Sequence, residues 1–579
     1  MRILGISCFY HDAAAALVHD GKLVTAAQEE RFSRKRHDQD FPDHAIHYCL
    51  EGSGASVDDL DQVVFYDKPF VKFERILTTY IDTFPRSFRS FQKALPVWLK
   101  DKMWIPQTIR SELGYKGEIH FTEHHMAHAA SAFLVSPFEE SAILTTDGVG
   151  EWETTTVGTG RGSDIRLAQS IHFPHSLGLL YSAFTYYLGF KVNSAEYKVM
   201  GLAPYGEPRF FDRMMEHLVR VAPDGSFALN MKYFSFDAAL TMTDRRLERF
   251  FGQARREPES ELTQFHKDVA ASLQKATDTV MVALARHAER VSSSKNLCMA
   301  GGVALNCVSN SKILSETSFE NIFVQPAAGD AGGAVGAAFY LYNTVMRNPR
   351  TYEMRDAFLG PEYSDDAIER LLEAQGAPYR KLGREELLQE TSRLIADQQV
   401  VGWFQGRMEF GPRSLGSRSI LADASNPKNQ SIVNLKIKFR ESFRPFAPTV
   451  LEERVSDYFE FDRPSPFMLF VATVRSDRRN IPAVTHVDGS ARLQTISRDQ
   501  NALYYDLLRA FEARTGCPVI INTSFNVRGE PIVCTPEDAW KCFMRTEMDV
   551  LVMGSFIVTK REVKALGVEM LELEAIELD

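Results

Sequence analysis

The chain begins with a strand, a tight turn and a further pair of strands, and the same plan returns at residues 141–171. Residues 1–30 contain the apolar run MRILGIS, the turn FYHD and AAAALVHDGKLVTAAQEE, in which Asp20 and Gly21 predict a hairpin turn. Residues 141–171 repeat this order as SAILTTD, GVGEWE and TTTVGTGRGSDIRLAQSI. We interpret the recurrence as an internal duplication of one strand-rich unit.

The region after residue 260 predicts alternating helices and strands. Residues 261–291 have apolar residues at helical spacing and no interior glycine or proline, which predicts a long amphipathic helix. NLCMAGG, VALNCVSNSKILSE, NIFVQPAAGD and AGGAVGAAFYLYNTV then predict strand, helix, strand and helix. Glycines at such junctions let a phosphate or ribose approach the backbone, so we predict a nucleotide cleft. Its candidate residues are Gly301, Gly302, Asn306, Gly329 and, in KVMGLAPYG, Lys198 and Gly201.

A length of 579 residues predicts two or three domains. The pattern changes over residues 348–364, so we predict an N-terminal domain of residues 1–355 and a C-terminal domain of residues 365–579. Residues 68–118 are rich in Phe, Trp, Lys and Pro and predict an irregular helical insertion. The acidic last stretch, GVEMLELEAIELD, predicts a surface tail with no assigned function.

Composition excludes several classes of protein. The net charge of −10 disfavours a nucleic-acid partner, which usually needs a basic face. The N-terminus does not resemble a signal peptide, and no run approaches the roughly 18–20 apolar residues of a membrane helix. The seven scattered cysteines contain no CxxC pair, which favours a reduced cytoplasmic setting and disfavours structural zinc.

A histidine pair in EHHMAHAASAF predicts a metal site. His124 and His128 are four residues apart and lie on one face of a helix. Asp147 ends an apolar strand, and Asp330 stands at a later strand-to-helix junction. Two imidazoles and two carboxylates suit iron, manganese or zinc. Surface histidines or hydrogen-bonded core histidines are the alternative; His125 lies off this face and is expected to orient a ligand or contact substrate.

The C-terminal half carries arginine and lysine interleaved with Phe, Pro and Gly. This composition favours an enclosed oxyanion pocket, because guanidinium groups match phosphate oxygens and lysine adds a point charge. A solvated basic face is the alternative. The candidate residues are Arg413, Arg418, Lys438, Arg440, Arg444 and Arg498, with Asn522, Thr523, Ser524 and Asn526 as neutral partners.

His11 and Asp12 occupy the first turn of the chain. A histidine beside an aspartate can act as a general base toward a hydroxyl group. A turn held by hydrogen bonds of the aspartate side chain is an equally good explanation.

Together these motifs resemble one family across residues 1–560. They are HDAAAAL, AQEERFSRKRH, HHMAHAASAF, TTDGVGEW, EYKVMGLAPYG, GGVALN, GDAGGAVGAA, EFGPRSLGSRSIL, FRESFRPFAP and INTSFNVRGEPIV. The chain resembles the O-carbamoyltransferases of nodulation-factor, antibiotic and toxin biosynthesis (the NodU/CmcH/TobZ type). The resemblance implies an α/β fold, with a two-lobed actin/sugar-kinase-like (Kae1-like) N-terminal domain and an α/β YrdC-like C-terminal domain.

The resemblance also implies a reaction. Carbamoyl phosphate would be cleaved to carbamate in the C-terminal domain, and carbamate would attack ATP to give carbamoyl-adenylate and pyrophosphate. The carbamoyl group would then pass, in the N-terminal domain, to a hydroxyl of a small-molecule natural product or sugar. The expected cofactors are ATP and Fe²⁺ or another divalent metal, with Mg²⁺ as a further ion.

Residue roles follow from the matching motifs. The metal ligands would be His124, His128, Asp147 and Asp330, and the nucleotide would meet Lys198, Gly201, Gly301, Gly302, Asn306 and Gly329. Carbamoyl phosphate would meet Arg413, Arg418, Lys438, Arg440, Arg444, Arg498, Asn522 and Ser524. His11, Asp12, Lys438 and Arg444 would be the catalytic residues. Two departures, Ser417 for a frequent Asn and Ala491 for a frequent Gly, change no charged residue.

Two other functions stay open at this point. One is a tRNA threonylcarbamoyl-type modifying enzyme, which the acidic balance disfavours. The other is an actin-like ATPase with a non-transferase role, which would leave the histidine pair unexplained. The aromatic insertion at residues 68–118 would either shape an acceptor pocket or form a packing surface, so a homodimer is left open.

Overall fold

The computed structural model describes residues 1–100, 102–441 and 444–567. The chain forms two compact units, one of residues 1–29 and 37–354 and one of residues 30–36 and 355–579. The predicted acidic tail lies, from residue 568 onward, outside the described residues. All seven cysteines are buried free thiols. Within the described part of the chain, no helix is long and apolar enough to cross a membrane.

The first unit contains two five-stranded sheets. The strands of the first sheet are β1 (Arg2–Ser7), β2 (Ala14–His19), β3 (Lys22–Gln28), β4 (Gln62–Phe65) and β5 (Ile119–Phe121). Their spatial order is β3-β2-β1-β4-β5. β1 to β3 are antiparallel neighbours, whereas β1, β4 and β5 are parallel.

The second sheet repeats this arrangement. Its strands are β6 (Glu140–Thr146), β7 (Glu153–Arg161), β8 (Asp164–His172), β11 (Asn296–Ala300) and β12 (Asn321–Val324). A short hairpin of β9 (Val219–Val221) and β10 (Phe227–Leu229) lies between β8 and β11 in the chain. The spatial order β12-β11-β6-β7-β8 and the strand directions match the first sheet, strand for strand. The predicted duplication and the two-lobed actin/sugar-kinase-like fold are confirmed.

Helices follow the strands in both lobes. In chain order the helices up to residue 339 are α1 (Glu30–Ser33), which belongs to the second unit, and then α2 (Asp43–Glu51), α3 (Pro69–Asp82), α4 (Phe88–Lys100), α5 (Ile105–Leu113), α6 (His124–Phe133), α7 (Leu177–Tyr187), α8 (Glu196–Leu202), α9 (Phe211–His217), α10 (Arg245–Phe251), α11 (Gln264–Ser292), α12 (Cys307–Glu316) and α13 (Asp330–Phe339). α11 is the predicted long amphipathic helix. The insertion at residues 68–118 forms the crossover from β4 to β5 and contributes α3 to α5.

The second unit is also α/β and is built on a nine-stranded mixed sheet. Its strands are β13 (Arg380–Lys381), β14 (Val401–Phe404), β15 (Arg418–Asp423), β16 (Ala447–Leu451), β17 (Phe470–Thr473), β18 (Ser490–Ile496), β19 (Val519–Ser524), β20 (Val550–Met553) and β21 (Phe556–Thr559). Their order is β13-β21-β20-β14-β15-β19-β16-β18-β17. The helices are α14 (Asp365–Ala374), α15 (Arg384–Ala396), α16 (Pro427–Ile432), α17 (Val455–Tyr458), α18 (Ala502–Thr515), α19 (Pro536–Arg545) and α20 (Lys560–Ala565).

A short early segment belongs to this second unit, which the sequence did not indicate. Within residues 30–36, the Arg31 guanidinium donates to the carbonyl of Gly411 over 2.8 Å. The Arg34 guanidinium donates to the carbonyls of Pro531 and Ile532 over 2.9 and 2.7 Å. These bonds join residues about 400 to 500 positions apart in the chain, and patterns within one segment carry no information on such pairs.

Candidate active site

Helix α6 places His124 and His128 on one buried face. The helix starts at His124, whose backbone amide donates to both oxygens of the Glu151 carboxylate, over 3.1 and 3.0 Å. A carboxylate at a helix N-terminus satisfies an otherwise unpaired amide and opposes the helix dipole. Both imidazoles are fully buried, so they are positioned before any ligand arrives.

The four predicted metal ligands meet at one point. Nε2 of His124 lies 3.1 Å from Nε2 of His128 and 3.1 Å from Oδ2 of Asp147. Oδ1 of Asp330 lies 3.8 Å from Nε2 of each histidine. One donor atom from each residue lies within 4.8 Å of all the others, and all four side chains are buried.

Two backbone features hold Asp147 at the end of β6. Gly302 donates its amide to Oδ1 of Asp147 over 2.8 Å, which leaves Oδ2 directed at the histidines. Gly301 precedes it at φ +93°, and a Cβ there would lie 2.3 Å from the carbonyl oxygen of Thr146. A side chain at Gly150 would likewise meet His124, at 2.9 Å from its ring. Glycine is therefore required at these positions by packing around the cluster.

Close packing of α13 on α6 brings Asp330 to the histidines. A Cβ at Gly336 would lie 1.8 Å from the carbonyl oxygen of Ala127 on α6. A Cβ at Gly333 would lie 2.6 Å from the ring of Tyr66, whose hydroxyl donates to Oδ2 of Asp330 over 3.3 Å. These two glycines of GDAGGAVGAA are therefore required by helix packing, and the nucleotide approach at the motif stays a prediction. Gly329, which has open space at its Cα, is the exception.

Burial and neighbouring charges set opposite pKa shifts on the two aspartates. Burial alone would raise the pKa of Asp147, but hydrogen bonds from His124 and His128 hold it well below its usual range. Burial, with the nearby Asp147 carboxylate, raises the pKa of Asp330 to about 7. Two buried carboxylates this close repel one another, and a bound cation would relieve the repulsion.

The donor set fits a divalent metal ion. Bonds of about 2.1 Å place neighbouring ligand atoms roughly 3.0–3.5 Å apart in octahedral or tetrahedral geometry. The separations that involve a histidine Nε2 are 3.1 to 3.8 Å, close to those edges. The orienting hydrogen bonds are on the carboxylate side, because Nδ1 of either histidine has no partner among the described residues.

His125 has a structural position. Its Nδ1 lies 2.6 Å from Oγ1 of Thr145, and its Nε2 lies 2.9 Å from the carbonyl oxygen of Glu153. Both ring nitrogens are thus engaged with β6 and β7, and a role of His125 in orienting a ligand or contacting substrate stays a prediction.

His11 and Asp12 form a three-residue cluster with His37, which the sequence did not indicate. Nδ1 of His11 lies 3.1 Å from Oδ2 of Asp12, and Nδ1 of His37 lies 2.7 Å from Oδ1. Nε2 of His11 lies 2.8 Å from the carbonyl oxygen of Asn193. Burial alone would lower the pKa of His11, but Asp12 and this carbonyl raise it to about 10. With an acceptor at each ring nitrogen, His11 is an imidazolium here, and a base role requires loss of the Asn193 contact.

The predicted nucleotide residues have varied positions. Asn306 caps α12 by accepting from the amide of Ser309 over 3.2 Å, and its amide donates to Gln274. Lys198 is buried on α8, with its ammonium 5.6 Å from the ring centre of Phe190. Gly201 lies in the last turn of α8. Gly302 donates its amide to Asp147, so it supports the metal cluster.

In the second unit, Lys438 and Ser524 meet at the end of β19. The Lys438 ammonium donates to Oγ of Ser524 over 3.0 Å and to Oδ1 of Asn526 over 2.6 Å. Lys438 is buried after a π-helical turn of residues 433–437, and Arg444 is also buried. Burial, followed by the charge of Arg440, lowers the pKa of Lys438 well below its usual value.

Asn522 and Arg440 are engaged in protein contacts near this group. The Asn522 amide donates to Oε1 of Gln494 over 2.8 Å and to the carbonyl of Ser414, next to Arg413, over 3.3 Å. Arg440 donates its Nε to Oδ1 of Asn434 over 2.7 Å. These bonds hold Asn522 and Arg440 around Lys438 and Ser524. The buried Lys438 is therefore the cation that we assign to the predicted oxyanion pocket.

Arg418 has a structural role that differs from the prediction. Its guanidinium donates to the carbonyls of Gln405, Gly406, Ser417 and Pro361. It also lies 3.7 Å from the ring centre of Phe404 and is fully buried. These four carbonyl acceptors hold the guanidinium in place through its two Nη atoms, whereas its Nε has no partner among the described residues.

Arg498 and Arg444 lie at opposite ends of two neighbouring strands, β18 and β16. β16 and β18 are parallel, and Thr449 is paired with Gln494. Arg444 precedes β16, whereas Arg498 follows β18 and pairs with Asp506 over 3.4 Å. At roughly 3.3 Å per residue, the two arginines are separated by on the order of 20–30 Å. The structure therefore does not bring these two predicted site residues together.

Two other arginines lie nearer to Lys438. The backbone amide of Arg528 donates to the carbonyl of Lys438 over 3.2 Å. Thr449 of β16 is paired with Gln494 of β18, so Ala447 and Arg492, each two residues earlier, are at the same level of the sheet. Ala447 is in turn paired with Asn522 of β19, two residues before Ser524. The alternation of β18 was the pattern that could have singled out Arg492, because Ala491 and Leu493 on either side are buried on the other face.

Two family models cover most of the chain. The carbamoyltransferase N-terminus model matches residues 2–339, and the carbamoyltransferase C-terminus model matches residues 392–560. The chain belongs to the carbamoyltransferase family. It is therefore an enzyme that transfers a carbamoyl group from a donor to an acceptor, and the actin-like ATPase with a non-transferase role is excluded.

Relatives of this carbamoyltransferase agree with the assignment. Nodulation protein NolNO of Sinorhizobium fredii is 39% identical, over 96% of this chain and 79% of its own length. Nodulation protein U of Rhizobium tropici is 30% identical, over 91% of each chain. An uncharacterized protein of Synechocystis sp., sll1178, is 52% identical over 96% of each chain.

Proposed function

We propose that this carbamoyltransferase uses ATP and carbamoyl phosphate to make carbamoyl-adenylate, and then carbamoylates a hydroxyl of a small-molecule natural product or sugar. The observation that supports the proposal most is the buried cluster of two histidines and two aspartates in the duplicated, kinase-like unit. Simple transfer from carbamoyl phosphate to a hydroxyl would leave this cluster without a purpose.

In the donor half-reaction, carbamoyl phosphate first loses phosphate to water and leaves carbamate. The buried Lys438, with Arg444 beside it in the chain, supplies positive charge for the departing phosphate. Ser524 and Asn526 orient the ammonium through their side-chain oxygens. Burial lowers the pKa of Lys438, and a phosphate anion bound beside it would counter this effect and favour the charged ammonium.

In the second step, a carbamate oxygen attacks the α-phosphorus of ATP. The new P–O bond replaces the bond to the β-phosphate, and pyrophosphate leaves. His124, His128, Asp147 and Asp330 would hold a divalent ion, with Fe²⁺ as the first candidate and Mg²⁺ as a further ion on the nucleotide. A metal bound there would supply Lewis-acid stabilisation of phosphate oxygens. Gly329, with open space at the N-terminus of α13, lets the backbone approach the phosphates.

In the transfer step, the acceptor hydroxyl attacks the carbamoyl carbon, and the bond from that carbon to AMP breaks. The hydroxyl proton needs an acceptor, and His11, paired with Asp12 in the turn between β1 and β2, is the candidate. His11 can accept it only after Nε2 has lost both its proton and the Asn193 carbonyl. Asp12, flanked by His11 and His37, fixes the orientation of both rings.

The experiment is a quenched reaction of the enzyme with ATP, carbamoyl phosphate and Fe²⁺ in the absence of any acceptor. The proposal predicts slow release of both phosphate and pyrophosphate, and pyrophosphate only when carbamoyl phosphate is present. Absence of AMP and pyrophosphate with each of Fe²⁺, Mn²⁺, Zn²⁺ and Mg²⁺ would sink the adenylate route and leave direct transfer.

A further inference from the structure

Helix α3, in the insertion at residues 68–118, buries positive charge where a helix usually buries apolar side chains. Its buried residues are Pro69, Lys72 and Arg75, which are three positions apart and lie on one face. Phe70 and Ile81 of the same helix are 63% and 74% exposed. The other apolar side chains of the helix are half-buried, so hydrophobic burial alone does not explain why the two cations lie on the most buried face.

The buried face of α3 is fixed against the metal cluster. The backbone amide of Lys68, at the start of α3, donates to Glu151 over 2.8 Å, and the same carboxylate receives the amide of His124. The Lys72 ammonium lies 5.7 Å from the ring centre of Tyr66, whose hydroxyl donates to Asp330. The helix therefore presents its cations to the layer that contains the metal ligands.

Lys72 and Arg75 differ in how their charge is balanced. Lys72 forms a buried ion pair with Asp67 and lies 4.6 Å from the ring centre of Tyr10. Arg75 is 6% exposed and makes no hydrogen bond or ion pair through its side chain with any of the described residues. Its guanidinium carbon lies 5.1 Å from the ring centre of Phe173. Burial lowers the pKa of Arg75, and the nearby Tyr10 and Glu151 oppose this shift without accepting a hydrogen bond from the guanidinium. The buried charge is therefore not compensated by hydrogen bonds.

The position of Phe173 connects Arg75 with the cluster. The amide of Phe173 donates to the carbonyl of Trp152 over 2.8 Å, and Trp152 directly follows Glu151 in the chain. One side of Arg75 is thus closed by the aromatic ring, and its guanidinium donates no hydrogen bond to any of the described residues. Guanidinium groups pair with phosphate and carboxylate oxygens through parallel hydrogen bonds.

We infer that Arg75 is the cation of an oxyanion-binding site beside the metal cluster, and that it binds a phosphate or carboxylate group of a reactant. Lys72, neutralised by Asp67, positions the site and adds no net charge to it. Which reactant carries the oxyanion rests on the proposed carbamoyl transfer. The two sources are the polyphosphate of ATP and an acidic group on the acceptor.

The test compares the wild-type enzyme with Arg75→Met, Arg75→Lys and the control Arg86→Met. Arg86 follows in the same insertion but is half exposed and pairs with Asp237 over 3.2 Å. Inorganic pyrophosphate and glucuronate are the two probes, and each dissociation constant is measured by thermal shift and calorimetry. Neither binding measurement requires turnover, so failure of the carbamoyl-transfer chemistry would not affect it.

Arg75→Met is expected to weaken one probe about 10- to 100-fold, the factor for one charge-assisted hydrogen bond. Loss of pyrophosphate binding assigns the oxyanion to ATP, and loss of glucuronate binding assigns it to the acceptor. Arg75→Lys should restore part of the affinity, and Arg86→Met should match the wild type. The melting temperature of Arg75→Met without probe should be unchanged or raised, because an uncompensated charge is removed.

Equal affinities for both probes in the wild type and Arg75→Met would overturn the inference. A marked fall in the melting temperature of both Arg75→Met and Arg75→Lys would also overturn it, since it would show a structural role for the guanidinium.

Discussion

Nε2 of His124 lies 3.1 Å from Nε2 of His128 on the buried face of α6. Two imidazole nitrogens at this distance repel one another when both present lone pairs or both carry protons. A shared cation is the arrangement that removes the repulsion for both. This contact, with Asp147 on the same side, is the geometric basis for the metal centre.

Removal of one histidine should empty the metal centre without unfolding the second unit. We expect His128→Ala to lower the affinity for Fe²⁺ by about 100-fold or more. Loss of a residue that only hydrogen-bonds to a ligand usually costs about 10- to 100-fold, and loss of the ligand itself should cost more. Metal analysis after dialysis measures this. His47→Ala, at an exposed histidine of α2, is the matched control and should retain metal. Full metal content in His128→Ala would contradict the assigned ligand set.

Packing of α13 on α6 should govern both stability and metal binding. In Gly336→Ala, the added Cβ would lie 1.8 Å from the carbonyl oxygen of Ala127, so the helices must separate. We expect a loss of about 1–3 kcal/mol or more in the free energy of unfolding, the usual cost of overpacking. Urea denaturation and metal titration measure the two effects. Gly383→Ala, which has open space at its Cα, should change neither.

Lys438 should serve the carbamoyl phosphate half-reaction alone. We expect Lys438→Met to lower phosphate release from carbamoyl phosphate by about 10- to 100-fold or more, because the buried ammonium is lost. ATP affinity, measured by calorimetry, should be unchanged. Lys436→Met, at an exposed lysine two residues earlier, is the control. Equal losses of phosphate release and ATP affinity would count against the division of labour between these residues.

The stability of the second unit should rise with pH through Lys560. Burial lowers the pKa of this lysine to about 7, whereas an unfolded lysine has a pKa of about 10.4. Between these values the unfolded chain binds a proton that the folded chain does not, so the free energy of unfolding increases with pH. Lys560→Met should remove this increase and be the more stable variant below pH 7. Urea denaturation from pH 6.5 to 9.5 measures it, and parallel curves would refute the assignment.

Much of the fold could be predicted from local patterns. The strand, turn and glycine patterns of the two N-terminal repeats predicted the duplicated sheets, because strand alternation and turn residues act within short segments. The gathering of His124, His128, Asp147 and Asp330 followed from similar reasoning. The two aspartates stand at a strand end and a helix start, where open α/β sheets place their sites.

Positions that depend on strand pairing or tertiary packing could not be predicted. Arg498 looked like a second ligand beside Arg444, but the parallel register of β16 and β18 puts the two arginines at opposite ends of these strands. Arg418 looked like a phosphate ligand, but its guanidinium donates to four backbone carbonyls, of which that of Pro361 is 57 residues away in the chain. Arg75 was not singled out, because its helix buries the face that its sequence pattern would expose.

Exchange of labelled pyrophosphate into ATP tests the central claim most directly. If carbamate and ATP form enzyme-bound carbamoyl-adenylate reversibly, label from pyrophosphate must enter ATP without any acceptor. We predict exchange that requires carbamoyl phosphate and a divalent metal, and that His128→Ala abolishes. Exchange that is absent in the metal-loaded wild-type enzyme, or that proceeds equally without carbamoyl phosphate, would contradict the account.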